Sequence, residues 1–576
     1  MQGDSRSAFQ PPNATDSGLA FVGVVFIVLA GCGGTSDTSA TGEGGASGSD
    51  ASQGTDGKLT PGSDSGASDT GRETASDGRA TGDGGPDSGS SQGDSGIAPG
   101  SHDPSVYQHH KNGTRDGVYI EPVFTKTAAA TTHVLPGFMG TVSADVYAQP
   151  LYVENGPGGA PAFIVATETN HVTALNASTG AVLWDTGPTT IGAAVTGGLS
   201  CGNINPLGIT GTPFIDMGSG QGVVYFDAMT QPSTGTAKHL VYAVGVADGK
   251  VLPNWPVDVT AKVSGFNSQY QNQRGALQFV NGLLYVPYGG LDGDCGSYYG
   301  WVVGFPAASP QSPTGWHTAA SRGGIWGPGA LPTDGTSVFP ITGNTSAGTA
   351  WGGGEAVIRL AAGPTFSGNA ADYYAPANWK ALDNGDTDLG GASEVLFDMP
   401  GAPTPHLIAA GGKDSNLYLL NRDNLGGIGG ELLKQSVGTN EIKGAPAVYT
   451  TSQGTYVAFH IEGGSGRTCP TAARGNLVVM KITAGASAGM FTATTAWCSS
   501  DSGLGSPMVT TTDGMSNAIV WAANNHLWAY DGVTGAKLFT AANTAMGSSV
   551  QGWNTPIAAS GHIAVGVNGQ LYLFSP

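Results

Sequence analysis

The 576-residue sequence predicts an all-β fold, an eight-bladed β-propeller whose four-stranded blades ring a central channel, and three observations predict it. Glycine supplies 95 residues, and charged side chains make up only 11%. Such a chain lacks the Leu, Glu, Lys and Arg that helices need and is rich in turn formers. Next, residues 149–185 contain three β-rich runs, QPLYV, FIVATETN and HVTALNASTGAVLW, and the later segments ANNHLWAYDGVTGAKLF and VYAVGVADGKVLPNW repeat its second half. Finally, eight short strand signals rich in Pro or small residues begin at 149, 211, 274, 327, 391, 444, 505 and 554, spaced 49 to 64 residues apart. Small residues suit strands crowded against an axis.

Taken in chain order, the first hundred residues read as address rather than fold. Residues 18–30, GLAFVGVVFIVLA, carry no charge. That length suits a signal-peptide core and is short for a bilayer span. The run ends in Leu29-Ala30-Gly31-Cys32, which resembles the bacterial lipobox. The resemblance implies a signal peptide over 1–32, a lipid on Cys32, a membrane partner, and a place in the bacterial cell envelope at the outer membrane or cell surface. Arg6 is accompanied by Asp4 and Asp16, a departure from the usual basic start. Residues 33–100 hold eleven acids and three bases among Gly, Ser, Thr and Ala. With so little to bury, this stretch is expected to be a disordered tether, reaching about 40–50 Å as a flexible chain. The folded domain is then 101–576.

The balance of 22 basic and 42 acidic side chains, a net charge of −20, argues against nucleic acid as a partner. Apart from Cys32, the cysteines are Cys201, Cys295, Cys469 and Cys498. Of their three pairings, Cys201–Cys295 and Cys469–Cys498 are favoured, because each joins neighbouring or identical units. No C-x-x-C spacing suggests zinc or a redox dithiol. The chain is read as a monomer.

Within the domain, Thr179-Gly180, Asp248-Gly249 and Thr534-Gly535 supply turns, and a Trp ending the outer strand covers the seam between blades. From residue 554 only three strands fit before the last residue of the sequence, so 117–127 (GVYIEPVFTKT) and 132–142 are expected to complete the final blade and close the ring. A seven-bladed count is the alternative, with the irregular unit 327–376 as an insertion.

The run ALNASTG at 174–180 with Leu183-Trp184 resembles the tryptophan-docking repeat of quinoprotein alcohol dehydrogenases, and the likeness covers about 115–576 as repeat architecture. VYAQPLYV (146–153), SCGNINPLGITGTP (200–213), QNQRGAL (271–277) and GGKDSNLYLLNRDN (411–424) are similar to secreted microbial propellers of no settled role. The first resemblance implies pyrroloquinoline quinone (PQQ) in the channel, between a Trp and a disulfide of adjacent cysteines, with Ca²⁺ held by Glu, Asn and Asp. This chain has no Cys-Cys pair, and no motif places the calcium ligands or the base. A binding or scaffold module for a protein partner or a small ligand is therefore the first reading, and PQQ-dependent oxidation of an alcohol or sugar the second.

Two groups are candidate sites. Asp383, Asp386 and Asp388, with Asn384, could offer oxygen ligands to Ca²⁺; the alternative is a solvated acidic turn that caps the next strand. Asn272, Gln273 and Arg274 precede the third inner strand, Lys443 precedes the sixth and Trp326 lies near the fourth. Together they would suit an anionic or sugar-like ligand at a channel mouth. The alternative pairs Arg274 with a blade carboxylate such as Glu394 and leaves Trp326 to packing. Lys413, Asp414, Arg422 and Asp423 read as structural charge pairs, and His102, His109 and His110 as lacking a rigid cage. No G-x-S-x-G elbow and no H-E-x-x-H helix is present.

Overall fold

The computed structural model describes residues 104–576 except 219, 463–468, 470–474, 501–502 and 504. The signal segment, Cys32, the tether and His102 lie outside the described residues. Eight sheets follow one another along the chain and form a ring, an eight-bladed propeller. Blade 1 comprises Leu151–Val153, Ala162–Thr167, His171–Asn176 and Val182–Thr186. The inner strands of blades 2, 3, 5, 6, 7 and 8 are Phe214–Asp216, Gln278–Val280, Val395–Asp398, Ala447–Thr451, Met508–Thr511 and Ile557–Ala559. Each middle strand lies between two neighbouring blades, so both its faces are covered and its sequence runs continuously apolar. All of Ala162–Thr167 and all of Val223–Thr230 are buried.

Tryptophans seal the seams as the repeat suggests. The Trp184 indole N–H donates to Val246 O of blade 2 (2.8 Å), and Trp497 donates to Gly532 O of blade 7 (3.0 Å). The turn glycine beneath each ring is forced twice over. Gly249 and Gly535 have φ of 66° and 71°, and a Cβ on either would stand 2.6 Å from the Trp ring. Both expected disulfides are present, with Cα–Cα distances of 6.0 Å for Cys201–Cys295 and 5.8 Å for Cys469–Cys498.

Residues 327–376 form blade 4, so the ring has eight blades and not seven. Its irregularity has a structural cause: Gly427–Ile428, which follows the third strand of blade 5, crosses over to pair in parallel with Tyr373–Ala375. Blade 4 thereby takes its fourth strand from the chain between the third and fourth strands of blade 5.

The ring closes as expected at 132–142, where His133–Val134 and Gly140–Thr141 both pair with Gln570–Ser575. The other segment expected in that blade, 117–127, lies elsewhere. Val118–Ile120 pairs in parallel with Val509–Thr511, on the axial side of blade 7. It ends a segment that runs along the inner strands and closes the lower half of the channel. Val106 pairs with Tyr152 of blade 1, and Tyr107 O accepts from Ile215 of blade 2. Gly113, Thr114, Asp116 and Gly117 carbonyls accept from Thr333, Leu396, Val448 and Val509 of blades 4, 5, 6 and 7. The Arg115 guanidinium reaches Leu277 O of blade 3, and the Glu121 carboxylate accepts from Gly561 of blade 8. The segment touches every blade, satisfying inner-edge groups that a bare channel would leave to water.

Candidate functional site

The upper half of the channel, above this segment, holds a cavity of about 320 Å³. Its walls come from the loops that lead into the inner strands: Asn272 and Arg274 before blade 3, Trp326 before blade 4, Lys443 before blade 6 and Trp553 before blade 8. Asn203, Asn344 and Lys413, and the loop from Gly290 to Asp294, complete it. Four of the five residues expected to bind a ligand thus meet in one chamber. Gln273 does not line it: its amide donates to Gly275 O (2.5 Å) and its side chain packs beneath Gly211, behind the wall.

Arg274 is the centre of the arrangement. Its guanidinium lies 4.1 Å from the centroid of Trp553 and 5.7 Å from that of Tyr147. Among the described residues it has no hydrogen-bonded acceptor and no ion-pair partner. The expected pairing with Glu394 does not occur, because the Glu394 carboxyl lies lower in the channel beside Arg115. Burial lowers the Arg274 pKa to about 10, against the opposing pull of Tyr147, Glu168 and Asp292, so the group is still cationic at neutral pH. The two lysines are placed differently. Lys443 pairs with Glu441 at 2.6 Å and Glu462 at 3.0 Å. Lys413, read from sequence as a blade charge, pairs with Asp388 at 2.8 Å and Asp386 at 3.3 Å within the chamber. Burial pulls the Lys413 ammonium down, but the two carboxylates together hold it above its usual value. Trp326 and Trp553 face each other with centroids 5.7 Å apart, so Trp326 is a wall of the chamber as well as packing.

The acidic turn does not gather into a cage. Asp383 sits in the short helix Trp379–Gly385 and accepts from the Thr345 amide (2.8 Å) and hydroxyl (3.0 Å). Asp388 accepts from the Asn344 amide (2.7 Å), and both it and the exposed Asp386 turn to Lys413. Thr345 takes Asp383 while Lys413 takes Asp386 and Asp388, and among the described residues no three His, Cys, Asp or Glu side chains converge as metal ligands. Asp414, Arg422 and Asp423 act within their blade, on Asn416, Asp398 and His406.

Beneath Arg274 a smaller chamber of about 10 Å³ has room for one water, between His109, Gln149, Thr212 and Thr555. His109 belongs to the closing segment, so this chamber marks the boundary between the two halves of the channel. Burial holds the His109 imidazole well below its usual range, with His110 and Arg115 adding to the effect, so the ring is neutral.

The sequence reading missed Trp553, Lys413, Asn344 and Asn203. Trp553 could have been found from its position, directly before the eighth inner strand as Arg274 stands at the third; Lys413 stands by a hairpin of its own repeat, and Asn344 and Asn203 come from loops.

No family model matches the chain, and no curated protein matches it. Among solved structures it is similar to the quinohemoprotein alcohol dehydrogenase of Pseudomonas putida HK5 (TM-score 0.57, 13% identity, 82% of this chain and 80% of that one). The enzyme of the same description from Comamonas testosteroni gives a TM-score of 0.56 at 13% identity, with 83% and 81% covered. A europium-containing methanol dehydrogenase gives 0.53 at 14% identity, with 82% and 98% covered. The resemblance carried by the ALNASTG repeat and its Trp holds at the level of the fold.

Proposed function

We propose that this chain is a binding module that takes a small anionic, sugar-like ligand in the upper chamber, and that a lipid on Cys32 holds it at the bacterial cell envelope. The observation that carries the ligand reading is Arg274, a half-buried cation lining the chamber, with rings around it and no acceptor among the described residues. A guanidinium partly withdrawn from water gains from meeting an anion, and its planar fork suits a carboxylate or phosphate. The amides of Asn272 and Asn344 can bond hydroxyls, and the indoles of Trp326 and Trp553 can stack on the C–H face of a sugar. The volume lies near the lower end of the roughly 300–1,000 Å³ usual for ligand pockets. With the lower half occupied, entry and exit are from above.

Titration calorimetry of the full chain with D-glucuronate and with D-glucose tests this. Binding of the acid but not the neutral sugar, lost in Arg274→Ala, is the expected result; equal heats, or none, would overturn it.

The second reading, a quinone-dependent dehydrogenase, is favoured by the fold likeness and the facing indoles. PQQ would find Arg274 for a carboxylate. The residues do not fit its companion metal, because among the described residues no three His, Cys, Asp or Glu side chains converge as ligands, and Lys413 already pairs with Asp386 and Asp388. No step is therefore derived through it. Reconstitution with PQQ and Ca²⁺ discriminates: dye reduction with an alcohol or aldose, and a cofactor absorbance that survives desalting, would displace the binding reading.

A further inference from the structure

The chamber wall contains a loop that almost nothing else holds in place. Residues 196–206 leave the body between Val195 and Leu207, whose main chains bond each other at 2.9 and 2.8 Å. Between them, among the described residues, no main-chain hydrogen bond ties the loop down, and most of it is exposed. Its foot is a small apolar cluster in which Leu199 and Ile204 pack with Leu291. Its covalent fastening is Cys201–Cys295, which crosses to the opposite loop 291–298. These two loops supply Asn203, Leu291, Asp292, Gly293, Asp294 and Tyr298 to the chamber. The disulfide backs that wall directly: a Cβ on Gly293 would stand 3.4 Å from Cys201 Cβ. Both cysteines are half-buried and within reach of a thiol.

We propose that Cys201–Cys295 is a redox-sensitive strap: it holds loop 196–206 across the chamber, and its reduction by a dithiol opens the chamber. One thiolate of the dithiol attacks a sulfur of the bridge to give a mixed disulfide, and the second displaces the protein thiol. Two electrons and two protons pass to Cys201 and Cys295, and the dithiol leaves as a cyclic disulfide. The consequence for ligand retention rests on the binding reading above; the opening itself does not.

Two readouts on the full chain test it, in the oxidised protein, the dithiol-treated protein and the Cys201→Ser/Cys295→Ser variant. Hydrogen exchange should rise at least tenfold in 196–206 and 291–298 and stay unchanged in blades 5 to 7. Iodide quenching of Trp553, taken as the difference from Trp553→Phe, should become two- to threefold stronger. The Cys469→Ser/Cys498→Ser variant should show neither change. No change on reduction, or the same change in that control, would overturn the strap. A wild type that opens in this way but shows no heat with D-glucuronate upholds the strap and sinks the ligand reading instead.

Discussion

Two arginines sit in one channel and are treated in opposite ways. Arg115, in the lower half, is fully buried, and its donors reach Gly329 O, Gln108 Oε1, His109 O and Leu277 O at 2.8–3.1 Å. Arg274, in the upper half, is half-buried against two aromatic faces, and among the described residues no acceptor meets it. Burial depresses both, to about 9 and about 10, so pKa does not tell them apart. What separates them is whether the donors are used. The lower half is a finished interior, in which the chain supplies its own ligand to all eight blades, whereas the upper half has walls and a charge but no occupant among the described residues. Function is therefore sought where the polar groups are organised and unmatched.

The largest test of that contrast is Arg115→Ala. It strands four acceptors along the axis and removes the cation beside Glu394, so a loss of about 3–5 kcal/mol in urea unfolding is expected. A loss under about 1 kcal/mol would mean that the closing segment is draped over the ring and does not hold it. Arg274→Ala should do the reverse. Stability should change by less than about 1 kcal/mol, because no bonded partner is stranded, while D-glucuronate affinity should fall roughly 100-fold. If unfolding suffers as much as in Arg115→Ala, Arg274 is structural and the contrast collapses.

Protonation sharpens the comparison from the lower side. Burial raises the Glu394 pKa to about 8 despite its own main-chain N–H and Arg115, and among the described residues no other residue hydrogen-bonds its carboxyl oxygens. The folded state therefore holds this proton more tightly than the unfolded chain does. Its contribution is fully present below about pH 4.5 and is lost as pH rises towards and through 8. Glu394→Gln keeps the shape and cannot ionise. It should come close to the wild type near pH 5 and exceed it by roughly 4 kcal/mol at pH 9 in parallel urea titrations. Equal slopes in the two proteins would show that Glu394 ionises freely and that the lower half is wetter than its packing implies.

Legibility in the sequence follows the same division. The ring was readable because each blade repeats its demands: small residues at the axis, continuous apolar middle strands, a Gly turn under a Trp. Arg274, Trp326 and Lys443 were readable as a group because the repeat places each beside a strand start. The closing segment was not. GVYIEPVF reads correctly as a strand, but nothing in its residues says whether it pairs on the outer side of blade 8 or the axial side of blade 7. Its Arg115 and His109 look like exposed loop residues until the channel surrounds them. Lys413 was misread for a related reason: in its own repeat it sits by a hairpin, and only the ring brings Asp388 and the chamber to it. Local pattern gives the unit, while contacts made across the axis belong to closure and leave no local trace.

The smallest effect is expected at Lys443, and it bears on whether charge alone makes the upper site. Lys443 stands 6.0 Å from the Trp553 centroid, on the same ring that Arg274 covers, but Glu441 and Glu462 already flank it. Its field at the ligand is largely cancelled, and partly exposed pairs of this kind are worth about 0–1 kcal/mol. Lys443→Ala should therefore weaken D-glucuronate binding only about two- to fourfold, against the roughly 100-fold loss expected at Arg274. If the two losses are equal, the chamber works as a diffuse positive basin, and the hydrogen-bonding capacity of Arg274 is not what selects the ligand. If Lys443→Ala costs almost nothing, specificity lies in the Arg274 guanidinium, whose donors meet no acceptor among the described residues.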